Sequence, residues 1–248
     1  DVNRCWLCDD GVLSGWLHND DRVDVGRAGG EETEMRAAQR EAASLLEEAK
    51  GEAVAVLSAE YTVEDNLALA RFAREVLSVT DFYLAGRPEG EEDELLRHRD
   101  KNPNRAGATA VAGGAPKPVD DLASSGAKFV VALGGLGKCP SDARVLAISA
   151  RTGEMTDEAD VLIPAPTFAQ CAGTYINARG MARTFEPAIH PKIHEPALPA
   201  SVSEVVDGIC AAMGVAHRTG DLAEEVASIA ADLAPAEEKP AEEDKETE

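Results

Sequence analysis

The chain has 248 residues, of which 44% are apolar and only 4% aromatic. This suits one large α/β domain or two smaller units with a core of Ala, Val, Leu and Ile. The net charge of −22 repels nucleic acid phosphates and anionic lipid headgroups, so both are excluded as partners. Because no run reaches the ~18 apolar residues of a membrane-spanning helix, we expect no direct membrane insertion. We expect a cytoplasmic protein, held at a membrane only through partners.

The first half of the chain predicts a β-α-β unit. Residues 1–30 are expected to be an irregular, cysteine-bearing segment, and residues 31–50 have the apolar spacing of a helix. Ala53–Ala59 is a continuous apolar run, typical of a strand buried on both faces. Thr62 is the expected N-cap of a helix that reaches Leu77, and Asp81–Ala85 is the next strand.

The second half continues the alternation of strands and helices. We expect a charged loop up to Asn104, a strand at Ala108–Ala112 and a short helix at Pro118–Ser125. Three further strands are predicted, at Lys128–Leu133, Arg144–Ser149 and Ala159–Ile163. This alternation predicts an α/β fold with a parallel sheet and helices on both faces, over residues 31–200.

The C-terminal part is predicted to be simpler. Residues 164–200 should wrap across the domain surface, and residues 201–234 should form two helices, Val202–Met213 and Leu222–Leu233. The tail at 235–248 has seven acidic residues and two lysines but almost no apolar ones. We therefore expect the tail to be disordered.

Few residue patterns suggest chemistry. Five dispersed cysteines do not resemble a disulfide framework: Cys5, Cys8, Cys139, Cys171 and Cys210. The Cys5-x-x-Cys8 spacing suits zinc or an iron–sulfur cluster, although a complete site needs about four ligands. Gly134-Gly135-Leu136-Gly137 follows a predicted strand, and it is interpreted as a strand-end turn in preference to a phosphate-binding loop. Pro191 between His190 and His194 excludes a helical zinc motif.

The first 23 residues resemble a segment of the large iron–sulfur subunit of bacterial NADH:quinone oxidoreductase (complex I). The matching residues are Val2-Asn3, Trp6-Leu7-Cys8-Asp9 and Gly11, while Val12 and Leu13 replace the usual Arg and Phe. In that family the cysteine matched by Cys8 is the last of four ligands to a [4Fe–4S] cluster. Cys5 lies at a position that the motif leaves open.

A second resemblance covers Ala159–Pro164 through Phe185. It is similar to a signature that this large iron–sulfur subunit shares with the molybdopterin oxidoreductases. The matches are Thr167-Phe168-Ala169, Gly173-Thr174-Tyr175-Ile176-Asn177, Gly180 and an earlier acid at Glu154, with a further likeness at Asp100–Asn104. Gln170, Met181 and Arg183 replace the usual Glu, Arg and Gln.

The resemblance implies a reduced molybdopterin-oxidoreductase-like domain that has lost the molybdopterin. It implies that Cys8 completes a [4Fe–4S] site whose other three cysteines lie upstream of Asp1 or in a partner. The implied function is a scaffold and electron-transfer subunit, with no catalytic residues of its own. Its implied partners are the other peripheral-arm subunits of a complex at the inner membrane.

Two alternatives remain open. The first is a molybdopterin-dependent oxidoreductase subunit related to formate dehydrogenase. That alternative requires an early Cys or Ser ligand and a terminal barrel, and neither is found in the sequence. The second is a free-standing, non-catalytic acidic interaction protein.

Overall fold

The computed structural model describes residues 20–94, 97–189 and 198–235. Cys5, Cys8, His190, His194 and the tail from residue 236 therefore lie outside the described residues. The predictions made for them stay predictions.

The described residues form an α/β fold with an eight-stranded sheet and a separate two-stranded hairpin. The strands are β1 Gly26–Ala28, β2 Glu31–Thr33, β3 Ala53–Ser58, β4 Phe82–Ala85, β5 Lys117–Pro118, β6 Phe129–Leu133, β7 Arg144–Ser149, β8 Val161–Pro164, β9 Gly173–Ile176 and β10 Ala182–Phe185. The α-helices are α1 Met35–Glu48, α2 Val63–Glu75, α3 Arg105–Val111, α4 Glu154–Asp157, α5 Val202–Ala212 and α6 Ala223–Leu233. A 3-10 helix spans Val119–Ser124.

The sheet is parallel from β3 to β8, in the order β5-β4-β3-β6-β7-β8. β1 pairs antiparallel to β8, and β2 extends the sheet beyond it. The chain leaves β3 toward one side of the sheet and later returns to its other side as β6. β3 and β6 therefore flank a topological switch point, the place where doubly wound folds bind ligands beyond the carboxyl ends of the strands.

The sheet is buried on both faces, because its strands alternate between two apolar cores. In β3, Ala55 and Leu57 contribute to the larger core with α1, α2 and α5. Val54 and Val56 face the smaller core, which contains Val119 and Leu122 of the 3-10 helix and Met155 of α4. The predicted α/β fold is confirmed, with a sheet that is mostly parallel and flanked by helices, although β1 and β2 pair antiparallel and one flank is much thinner than the other.

The predicted strand at Ala108–Ala112 is wrong, because this segment lies in and just after α3. Ala108 and Val111 are buried three residues apart, as on one side of a helix. The small side chains let α3 pack closely on α2. Alanine has the highest helix propensity, and a five-residue apolar run cannot by itself distinguish a strand from a buried helix.

Two segments predicted to be irregular contain strands. β1 lies within the first thirty residues, and the β9–β10 hairpin lies within residues 164–200. The segment predicted to be helical from residue 31 begins with β2, and α1 starts at Met35. In the described ranges, none of the helices has both the length and the apolar character needed to cross a membrane.

Candidate functional site

The candidate site is the carboxyl end of the sheet at the switch point. It is formed by two segments, here called the switch-point loops: Ala59–Thr62 after β3 and Gly134–Gly137 after β6. In a doubly wound domain, these loops and the N-terminus of the following helix would bind the phosphate of a cofactor. The residues between the switch-point loops therefore determine whether the fold can bind a cofactor there.

The N-terminus of α2 is closed by its own side chains. Thr62 Oγ1 accepts the Asp65 N–H at 3.0 Å, and the Asp65 carboxylate accepts the Thr62 N–H at 3.3 Å and the Thr62 hydroxyl at 2.7 Å. This reciprocal capping box confirms the predicted N-cap and occupies donors that an anion would need.

Asn66 holds the end of β3 from the same helical turn. Its side-chain oxygen accepts the Ser58 N–H at 2.9 Å, and its amide donates to the Ser58 carbonyl at 2.9 Å. The same amide donates to the Thr62 carbonyl at 2.8 Å. Asn66 is fully buried, and the strand, the loop and the helix are therefore locked together by one side chain.

Negative charge is concentrated at this helix start. Glu60, Glu64 and Asp65 lie within six residues; Glu60 forms an ion pair with Arg87 at 2.6 Å, and Asp65 is buried. Burial raises the pKa of Asp65 to about 6, against the opposing effect of the hydrogen bonds from Thr62. A phosphate group here would meet carboxylates in place of the free N–H groups that usually bind it.

The β9–β10 hairpin covers this helix start. The Thr174 N–H donates to one Glu64 carboxylate oxygen at 2.8 Å, and the Thr174 hydroxyl donates to the other at 2.8 Å. Gly173 lies so close to Thr62 that a Cβ at this position would come within 2.5 Å of Thr62 Cγ2. The Gly-Thr pair of the second resemblance therefore attaches the hairpin to the switch point.

Asn104 connects the hairpin to the first switch-point loop. Its amide donates to the Tyr61 carbonyl at 2.8 Å, and its side-chain oxygen accepts the Ile176 N–H at 2.9 Å. Its own N–H donates to the Ala59 carbonyl at 3.0 Å. Because Asn104 is fully buried, these bonds replace water for all three backbone groups.

Tyr61 crosses the switch point from the β3 side to the β7 side. Its hydroxyl accepts the Ala150 N–H at 2.8 Å, and burial raises the pKa of this phenol to about 12. Its ring lies against Gly134, whose φ of +89° leaves the chain in a conformation that glycine adopts without strain. The space between the two switch-point loops is thus filled by a side chain of the protein.

The glycine-rich segment after β6 makes structural contacts. The Gly134 N–H donates to the Ile148 carbonyl at 2.9 Å, and the Gly135 carbonyl accepts the Met155 N–H at 3.1 Å. A Cβ at Gly135 would lie 3.1 Å from the Gly153 nitrogen. These contacts place the segment as a strand-end turn packed on the start of α4, as interpreted from the sequence.

The other signature residues shape loops. Gln170 Oε1 accepts the Thr167 N–H at 3.1 Å, and Asn177 Oδ1 accepts the N–H groups of Arg179 and Met181 at 2.9 and 3.0 Å. Glu154 at the start of α4 pairs with Lys138 on the surface, at 3.2 Å. The amide oxygen of Gln170 accepts the Thr167 N–H without adding the negative charge of the Glu that is usual at this position.

The three described cysteines are buried and lie apart in the fold. Burial raises the pKa of the Cys139 and Cys171 thiols to about 12 and that of Cys210 to about 11. Metal binding requires thiolates, so these three are poor ligands. In the described part of the chain, no three His, Cys, Asp or Glu side chains are grouped to hold a metal ion. The proposed ligand Cys8 lies outside the described residues.

Sequence reasoning misses the residues that close the switch point. It predicts Thr62 as an N-cap, but it predicts no contact for the side chains of Tyr61, Asn66 or Asn104. No local pattern marks the Glu64–Thr174 contact, because the two residues are 110 positions apart. No protein-family model matches the chain, and no curated protein is significantly similar to it.

Proposed function

We propose that the chain is a non-catalytic scaffold in an NADH:quinone oxidoreductase complex, and that it braces a [4Fe–4S] site on the electron path. The observation that carries this proposal is the attachment of the β9–β10 hairpin to Glu64 and Asn104 at the switch point. In this fold class, that is where a cofactor would otherwise bind. The resemblance to the large iron–sulfur subunit of complex I supplies the identity of the complex.

The charge at the switch point supports a role without molybdopterin. That cofactor carries phosphate, and the start of α2 presents Glu64 and the buried Asp65. Placing a phosphate there would break the capping box and bring like charges together in a poorly solvated place. The polar groups at this position hold the hairpin instead.

The position of the N-terminal segment supports a bracing role. Residue 20 lies beside the end of β7, where the Asp20 carbonyl accepts a hydrogen bond from Arg151 at 3.2 Å. The Asp21 carbonyl accepts the Thr152 N–H at 2.7 Å. The segment that contains Cys8 therefore joins the domain at the same end of the sheet as the switch point. Cys8 would supply one cluster ligand, and the other three would come from upstream residues or from a partner subunit.

The proposal is tested in the native complex with Cys8→Ser and with Cys5→Ser as the matched control. We expect Cys8→Ser to remove one [4Fe–4S] signal from the electron paramagnetic resonance spectrum of the NADH-reduced complex. Cys5→Ser should retain that signal, since Cys5 lies at an open position of the motif. An unchanged spectrum in Cys8→Ser would remove the cluster role.

The composition of the purified native assembly tests the rest of the proposal. We expect the chain to copurify with peripheral-arm subunits of NADH dehydrogenase and to contain no stoichiometric molybdenum. Stoichiometric molybdenum would favour a molybdopterin-dependent oxidoreductase. A stable, iron-free monomer without these partners would favour an acidic interaction protein.

A further inference from the structure

Three large apolar side chains are exposed among the described residues, and they belong to segments that flank or follow the carboxyl end of β8. Val25, Phe168 and Ile189 are 48%, 49% and 38% exposed. They are called the β8-end patch here. Exposed apolar side chains are common singly, but a group of them at one place indicates a binding surface.

The positions of these residues follow from the backbone. Arg27 pairs with Leu162 and Ala28 with Val161, so Val25, just before β1, lies next to the end of β8. Phe168 lies in the loop that follows β8. The N–H of Ile189 donates to the carbonyl of Ala169 at 2.9 Å, which places Ile189 beside the neighbour of Phe168.

We infer that the β8-end patch is the docking surface for the N-terminal segment of this same chain, residues 1–19. This segment contains both tryptophans of the chain, Trp6 and Trp16. It also contributes Leu7, Leu13 and Leu17. Tryptophan has a large apolar side chain, so its burial against an apolar surface contributes a large favourable free energy.

The attachment point gives the segment access to the patch. The Asp20 carbonyl and the Asp21 carbonyl are bonded to Arg151 and Thr152, just beyond the end of β7. β7 is the direct neighbour of β8 in the sheet. Trp16 lies four positions before Asp20 in the chain, a reach of about 14 Å when extended.

Tethering favours this occupant over a second copy of the chain. A segment joined by a short linker is present at its binding site at an effective concentration on the order of millimolar. A separate copy at micromolar concentration competes poorly with it. The net charge of −22 also opposes the approach of a second copy.

Tryptophan fluorescence of the full chain tests the inference directly, because both tryptophans lie in the docking segment. In a Trp6→Phe background, Trp16 is the single reporter. We expect its emission to be blue-shifted from that of the urea-unfolded chain and to be protected from acrylamide quenching. The Phe168→Ser/Ile189→Ser variant should shift the emission to the red and increase quenching. Val25→Ser, a milder change in the same patch, should shift it in the same direction.

Val215→Ser is the matched control, since Val215 is a partly exposed aliphatic residue on the connection between α5 and α6. It should leave the emission unchanged, and circular dichroism should show that every variant compared is folded. Emission equal to that of the unfolded chain, or no response to the patch variants, overturns the inference. A blue shift that is lost on dilution also overturns it, because the occupant would then be a second copy. The assay uses the isolated chain with its iron content measured, so its outcome is separate from that of the cluster role.

Discussion

Glu64 and Thr174 form a two-point contact between the first turn of α2 and the β9–β10 hairpin. Each carboxylate oxygen accepts one hydrogen bond of 2.8 Å, from the Thr174 N–H and from its hydroxyl. Thr174 is buried, so a broken bond is not replaced freely by water. This contact holds the two-stranded hairpin over the position at which the fold could bind a ligand.

The Glu64→Gln variant should loosen the hairpin. The neutral amide keeps one acceptor but loses the charge and the second acceptor, so we expect a loss of about 1–3 kcal/mol in the free energy of unfolding. Urea denaturation measures this loss. Glu41→Gln is the control, since Glu41 is an exposed residue of α1. Equal stability of the two variants would contradict the role given to the Glu64–Thr174 contact.

The burial of Asp65 should make a contribution to the free energy of unfolding that falls as the pH rises. The pKa of this carboxyl is raised from 3.8 to about 6 by burial. Between these two values the unfolded chain has already lost a proton that the folded chain retains. The contribution of Asp65 is therefore fully present below pH 3.8 and is lost as the pH rises to about 6. This difference corresponds to roughly 3 kcal/mol.

The Asp65→Asn variant isolates this effect. Asparagine stays neutral and still offers an oxygen to Thr62, so the variant should lack this part of the pH dependence. The measurement is the free energy of unfolding at pH 4 and pH 7 in both proteins, because the other carboxyl groups contribute equally to each. Parallel pH profiles for the wild type and Asp65→Asn would show that Asp65 ionises normally in the folded chain.

Local sequence patterns predict the parts of this fold that depend on near neighbours. Thr62 is recognisable as an N-cap because an acid follows in the first helical turn, and Ala53–Ala59 is recognisable as a strand because it is apolar almost throughout. The α3 segment is misassigned because Ala and Val fit either element when only a few residues are considered. The Glu64–Thr174 and Asn104–Ile176 contacts are not predictable in this way, since they depend on tertiary folding and leave no periodic pattern in the sequence.

Asn104 should be essential to the position of β9. Asn104→Ala removes the partner of the Ile176 N–H and leaves the Tyr61 carbonyl with only the 3.3 Å hydrogen bond from Asn66, so at this fully buried site it should cost about 1–3 kcal/mol. Hydrogen exchange provides a specific signature, since the Ile176 amide should exchange faster than amides of the β3–β6 pair. Thr109→Ala is the control, since Thr109 is a half-buried residue of the same helix, α3. Unchanged protection of Ile176 would show that Asn104 does not hold the hairpin.

Gly173 should tolerate no side chain while Thr62 keeps its methyl group. A Cβ at Gly173 would lie 2.5 Å from Thr62 Cγ2 and 2.8 Å from Thr62 Cβ, so the hairpin would have to move away from α2. We expect Gly173→Ala to cost about 1–3 kcal/mol, the usual cost of overpacking. Gly114→Ala is the matched control, because a Cβ there meets no atom within 4 Å. Adding Thr62→Ser to Gly173→Ala keeps the capping hydroxyl and removes the clashing methyl group. Urea denaturation should show that this double variant recovers part of the lost stability. If the double variant is no more stable than Gly173→Ala, the Thr62 contact is not what excludes a side chain at residue 173.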